Sequence, residues 1–179
     1  MRIGLVYLRP RQVVYVRRSG LYRTSSAQAW AEMFAWLARH KLREHVTCSY
    51  GLAVDHPGLV APQSCRYDAC IEIPEGFANV RTDGLSFQTL PGGAFARIRH
   101  VGPYGDLRPA IVSIRDEWLP TQPRLGLDRR RPLLIIYLDD PERREGAKLR
   151  ADICIPVNAR HDEAVPRVPH PECTLTRPM

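Results

Sequence analysis

Apolar and polar side chains alternate along several short stretches of this chain, and between them the spacing lengthens to three and four residues. In 66–73, Tyr67, Ala69, Ile71 and Ile73 fall on one side, with Arg66, Asp68, Cys70 and Glu72 on the other. In 149–155, Leu149, Ala151, Ile153 and Ile155 oppose Arg150, Asp152 and Cys154. Both stretches predict strands, as do 12–18, 47–55, 94–100 and 133–138, with a shorter extended piece at 85–90. The run AQAWAEMFAWLARHKL predicts a helix that carries Trp30, Met33, Phe34 and Leu37 on one face, with Trp36 on its flank and His40 one turn on. Thr24, Ser25 or Ser26 is the expected cap. A second helix is predicted over 107–119, with Pro109 in its first turn and Pro120 and Pro123 ending it.

The uniformly apolar faces of 66–73 and 149–155 are the ones the helices should cover. Their mixed faces should line a groove or meet solvent. Residues 133–138 are apolar on both faces apart from the Tyr137 hydroxyl, so something must also shelter the side away from the helices.

The pattern occurs twice. Asp55, Pro57, Arg66, Asp68 and Cys70 match Asp139, Pro141, Arg150, Asp152 and Cys154 at an offset of 84 residues. Upstream, Gly20, Tyr22 and Trp36-Leu37 match Gly102, Tyr104 and Trp118-Leu119 at an offset of 82. Uncommon residues recurring in order at nearly one offset indicate a duplicated module. The expected fold is therefore α+β. It is a tandem duplication of a strand–helix–strand–strand unit, making an antiparallel sheet with helices on one face and a groove between the halves. One domain is expected over 1–157, with halves at about 10–74 and 85–157, followed by a loose tail at 158–179.

Composition narrows the function. With 44% hydrophobic and 25% charged residues among 179, the chain has a globular balance rather than a disordered one. The net charge of +7 is carried mainly by arginine, but no basic helix or nucleic-acid motif concentrates it, so direct nucleic-acid binding is not expected. Arg129-Arg130-Arg131 reads as a solvated loop. Cysteines 48, 65, 70, 154 and 173 form no CxxC pair, which favours reduced, space-filling thiols. Cys70 and Cys154 are repeat mates that could approach across a pseudo-two-fold axis. The N-terminus lacks signal-peptide features, and no apolar run approaches the roughly 18 residues of a membrane span, so the cytoplasm is the expected location. The residues His161, His170 and Cys173 match no metal pattern, and neither a catalytic signature nor a cofactor motif is present.

The segments ARIRHVGPYGDL, EWL and RPLLIIYLDDP…LRADICIPV, within roughly 10–157, resemble the GyrI-like domain. This is the effector-binding domain of bacterial multidrug-sensing transcription activators, also found as a stand-alone protein. The resemblance implies two strand–helix–strand–strand units. It also implies a groove between them for flat, aromatic and often cationic molecules. Some members are implicated in protecting DNA gyrase and others in hydrolysing strained toxins. Much of the family carries P-x-x-E-x-Y in the third strand of the second half, with the glutamate in the pocket. Here the match is Pro132 to Tyr137, and Ile135 replaces the carboxylate. Cys154 takes a position that is often tyrosine. Ile135 can neither attract a cation nor move a proton, which shifts the expectation towards apolar or aromatic ligands.

Eight residues follow as candidates for the ligand site. Tyr137, Trp118, Tyr104 and Tyr50 are expected as walls and Ile135 as an apolar floor, with Trp36, Cys154 and Glu72 beside them. Each has a structural alternative. Tyr137 reads equally as a buried sheet tyrosine, Tyr104 and its mate Tyr22 as turn anchors, the tryptophans as core, and Glu72 as a surface partner of Arg97 or Arg99. Alternatively Glu72 supplies the carboxylate that Ile135 lacks. The expected function is sequestration or sensing of a small molecule. The alternatives are hydrolysis, with Glu72 as base and Tyr137 as proton donor, and an interaction module for a protein such as gyrase. Transcription control would call for a separate DNA-binding partner.

Overall fold

The computed structural model describes residues 2–56, 59–72 and 84–160. Strands β1 (Gly4–Leu8) and β2 (Arg11–Ser19) lead into helix α1 (Tyr22–Arg39), then β3 (Ser49–Ala53) and β4 (Arg66–Glu72). Strands β5 (Ser86–Leu90) and β6 (Gly93–Val101) lead into α2 (Arg108–Val112). The chain continues through a π-helical turn at Ser113–Trp118 and a tight turn at Leu119–Thr121. Strands β7 (Leu125–Leu127), β8 (Leu133–Tyr137) and β9 (Arg150–Ala159) complete the second pass.

All strands join one antiparallel sheet in the order β1-β6-β9-β8-β3-β4-β2-β5, with β7 paired to the end of β9. The halves meet at β8 and β3, where Gly51 stands opposite Ile135. The pairing of Leu8 with Gly93 continues in the same register as that of Arg11 with Leu90. The β1–β2 and β5–β6 segments therefore form one long ribbon linking the two edges, and the sheet curls into a half-barrel.

That curl explains what shelters the side away from the helices. Helix α1 buries Met33 and Leu37 against Val14, Val16, Ala69 and Ile71. Around α2, Ala110 and Ile114 pack on Ile98, Ile153 and Ile155. A third cluster, on the opposite face, joins Val13, Leu52, Cys70, Phe95, Leu134 and Cys154 from strands of both halves. The mixed face is thus a filled core rather than a groove. Its two buried aspartates are each gripped by an arginine: Arg17 binds Asp68 at 2.6 and 2.7 Å, and Arg99 binds Asp152 through both carboxylate oxygens.

The repeated residues build the same joint twice. Gly20 and Gly102 adopt φ of +138° and +136°, a region that excludes most side chains, and their amides donate to Cys65 and Leu149 carbonyls. Tyr22 donates its hydroxyl to the Asp55 carbonyl and accepts the Asp55 amide; Tyr104 does the same with Asp139 and also donates towards the Arg150 carbonyl. The carboxylates of Asp55 and Asp139 then bind Arg66 and Arg150 through backbone amide and guanidinium alike. Pro57, Ile73 and Cys173 lie outside the described residues.

Several expectations are corrected. Helix α1 begins at Tyr22 after Leu21, with no side-chain cap, because Ser25 is already inside the first turn and buried. Strands β1 and β7 were not marked by the alternation. Strand β9 runs to Ala159, past the expected start of the tail at 158, held there by β7; residues 161–179 lie outside the described part. Arg131 is not a solvated loop residue. It donates to the Gly92, Ala94 and Val157 carbonyls and packs over the Phe95 ring.

Candidate ligand cavity

The site starts from a glycine. Gly51 lies in mid-strand between Ala69 of β4 and Ile135 of β8. A Cβ there would stand 2.1 Å from the Tyr67 hydroxyl and 3.1 Å from that of Tyr137. Its missing side chain lets the two hydroxyls meet over the seam, 2.9 Å apart. The Trp30 indole N–H, arriving from α1, donates to the Tyr67 oxygen at 3.1 Å. Burial raises the pKa of both tyrosines, so both hold their protons.

Aromatic rings from both halves gather around this chain of hydroxyls. Trp30 stands edge-on to Tyr137 at 5.3 Å and tilts against Phe34 at 5.4 Å. Tyr104 approaches Tyr137 edge-on at 4.7 Å, within the favourable range for such pairs. Burial pushes the Tyr104 hydroxyl up to about 12.

A cavity of about 460 Å³ opens beside these rings. Trp30, Phe34 and Leu37 of α1 form one side. Ser49, Ile71 and Tyr137 form the sheet side, and the Tyr104–Gly105 turn with 138–141 closes the far end. Arg23, Arg43, Asp139 and Asp140 bring charge to its rim. Asp140 binds Arg43 at 3.0 and 3.3 Å. Burial opposes its charge, but the Glu142 amide and the Arg43 guanidinium keep its carboxyl below the usual range. Arg150 holds the Asp139 carboxyl down to about 2, aided by Arg144. The arrangement can stack a flat molecule, offer it hydroxyl groups and meet charge at the rim.

Of the eight candidates from sequence, Tyr137 and Tyr104 line this cavity. Ile135 faces the same side but is buried in the core around α2, leaving no carboxylate at the seam. Trp118 packs at the margin of that core. Trp36 is buried in the first-half core and stacks on His40 at 4.4 Å, with no partner for its indole N–H among the described residues. Tyr50, Glu72 and Cys154 belong to the opposite face of the sheet. There Tyr50 donates to Glu72 at 2.5 Å, and Arg11 stands 3.6 Å from the same carboxylate. Burial pushes the Cys154 thiol up to about 12.

Three expectations about Glu72 are corrected by this geometry. It does not supply a carboxylate to the cavity, and it does not pair with Arg97 or Arg99, both of which turn to Asp152. As it projects from the other face, it cannot act with Tyr137 as a base–acid pair. The sequence reading missed Arg23, Arg43 and Asp140, and took Trp30 and Phe34 as helix-face core. Their signal was the four-residue spacing of two large aromatics on one helical face, which does not distinguish a core from a cavity wall.

The fold and cavity define a duplicated α+β domain with an aromatic pocket beside the seam of its halves. The chain belongs to the family of the GyrI-like small molecule binding domain, whose model matches residues 1–158. It is 31% identical over 109 residues to the probable transcriptional regulator YgiV of Escherichia coli K12, covering 61% of this chain and 66% of that protein, slightly less than two thirds of its length. Among solved structures, the EcmrR–DNA complex matches with a TM-score of 0.66 at 17% identity, over 87% of this chain and 57% of that one. The structure of SAV2435 bound to tetraphenylphosphonium matches with a TM-score of 0.57 at 12% identity, over 88% and 94%. No helix among the described residues is long and apolar enough to cross a membrane.

Proposed function

We propose that the chain captures a flat, mainly aromatic small molecule in the cavity between α1 and the seam, and thereby sequesters or senses it. The observation that carries this reading is the convergence of Trp30, Phe34, Tyr104 and Tyr137 from both halves on one open space. Tyr137 and Tyr104 are the sequence-identified residues that would touch the ligand, with Trp30 and Phe34 completing the stack. Rings held edge-on to each other leave faces or edges available to a planar guest, and burying such a guest removes apolar area from water. The name of YgiV supports a sensing role, in which the liganded domain acts on a transcription regulator as its protein partner.

A thermal-shift screen of planar aromatic dyes tests the proposal. A molecule that binds only the native state at about 100 times its Kd adds about 2.7 kcal/mol of stability. At least one dye should raise the melting temperature of the natural protein. Ala27→Trp, at an exposed position on the cavity wall, should abolish that rise without lowering the melting temperature of the free protein. A rise that survives Ala27→Trp unchanged would place the binding elsewhere and overturn the proposal.

A further inference from the structure

We infer that the cavity selects aromatic anions over aromatic cations, an inference that rests on its being the ligand site. Aromatic faces attract a cation weakly, and it is an unspent carboxylate that best replaces the water shell the ion loses in a buried pocket. Neither carboxylate at this rim is unspent. Both oxygens of Asp139 accept from arginine, one from Arg144 and Arg150 and the other from the Arg150 amide and guanidinium. Both oxygens of Asp140 accept from Arg43, and one also takes the Glu142 amide. At the seam, the residue opposite Gly51 is Ile135, buried and apolar, so it adds no carboxylate.

The donors balance differently. Arg43 is shared between Asp140 and Glu142. Arg23, one turn before Ala27 on α1, has no ion pair or hydrogen bond among the described residues, yet forms part of the cavity wall. At the base, the Trp30 indole can only donate, so the Tyr67 oxygen accepts. The two phenols carry two protons, and their mutual bond uses one. Whichever of the two donates, the other proton has no acceptor among the described residues. A spare proton on Tyr67 would be buried without an acceptor, so Tyr67 spends its proton on Tyr137 and the spare one belongs to Tyr137, which is half-buried and lines the cavity. The walls therefore offer an unspent cation and an unspent hydroxyl donor to a guest, and no unspent carboxylate. A planar acid fits both: its ring lies among Trp30, Phe34 and Tyr104, and its anionic oxygens take the donors.

Three anthracenes of one shape separate charge from stacking: anthracene-9-carboxylate, 9-anthracenemethanol and 9-(aminomethyl)anthracene as the ammonium. Their Kd values with the full chain can be read from anthracene fluorescence at low salt. The carboxylate should bind about ten-fold more tightly than the ammonium, the size of one charge-assisted hydrogen bond. Arg23→Gln should reduce that ratio about five-fold, a partial loss because the position is exposed and screened. Arg129→Gln, which removes the same charge at an exposed position outside the cavity, should leave the ratio unchanged. Tyr137→Phe should weaken the carboxylate more than the ammonium. Equal or tighter binding of the ammonium overturns the inference, as does an equal effect of Arg23→Gln and Arg129→Gln. If Ala27→Trp leaves the affinities of all three probes unchanged, the cavity is not their site and the reading beneath the inference fails instead.

Discussion

The hydroxyls of Tyr67 and Tyr137 stand 2.9 Å apart directly over Gly51, joining a strand of the first half to a strand of the second. This contact is where the duplicated halves cease to be copies, because the partners come from β4 in one half and β8 in the other. It also fixes the inner wall of the cavity.

Gly51→Ala should therefore be costly for a one-carbon change. The new Cβ collides with the Tyr67 hydroxyl, and Tyr67 is buried and cannot swing away. Overpacking of this kind costs about 1–3 kcal/mol. Much of that cost should disappear in the background of Tyr67→Phe, which removes the colliding oxygen. Urea unfolding of the two single variants and the double variant measures the coupling. Strictly additive effects would mean that the glycine has another reason to be there.

The tyrosines of the repeated joint make a second test. Tyr22→Phe and Tyr104→Phe each remove a hydroxyl that links the strand-to-helix turn to Asp55 or Asp139. Each should cost about 1–2 kcal/mol, since the carbonyls left behind are partly buried. The joints lie in separate halves, so the double variant should be additive within about 0.5 kcal/mol. Tyr104→Phe should also weaken ligand binding, whereas Tyr22→Phe should not, because only Tyr104 lines the cavity.

Acid should loosen the same joints. Arg66 keeps Asp55 more acidic than an ordinary carboxylate, and Arg150 holds Asp139 at about 2. In the unfolded chain such groups titrate at about 3.9. Their ionised form is thus favoured by folding, and its contribution is complete above that value and fades as pH falls towards about 2. Asp139→Asn should be less stable than the natural protein at pH 7, yet lose less stability between pH 4 and 2.5. Urea midpoints across that range decide it, and parallel pH slopes for the two proteins would exclude the assigned role of Asp139.

Much of the architecture was legible because the repeated residues have one physical job each. A glycine at positive φ, a tyrosine bridging an aspartate and an aspartate gripping an arginine are hard to replace singly, so they persist in both halves and betray the duplication. The assignment of faces within each strand was legible for the same local reason, since alternation is a property of neighbours in sequence. What the chain as a string did not reveal was the curl of the sheet. It depends on the β1–β2 and β5–β6 ribbon pairing across about eighty residues of separation. Without the curl, the mixed face looked like a groove, and Tyr50, Glu72 and Cys154 were set beside Tyr137 although they lie on the opposite face from the cavity. Tyr137 and Tyr104, which line the cavity, were singled out through the family pattern and the repeat, while Trp30 was hidden as one more aromatic on an amphipathic helix.

A crystal structure of the chain soaked with the dye that gives the largest thermal shift locates the ligand outright. Density for a planar molecule is expected among Trp30, Phe34, Tyr104 and Tyr137, with the Tyr67–Tyr137 contact intact. A fully occupied dye on any other surface, with these four side chains closed on one another, would contradict the proposed site.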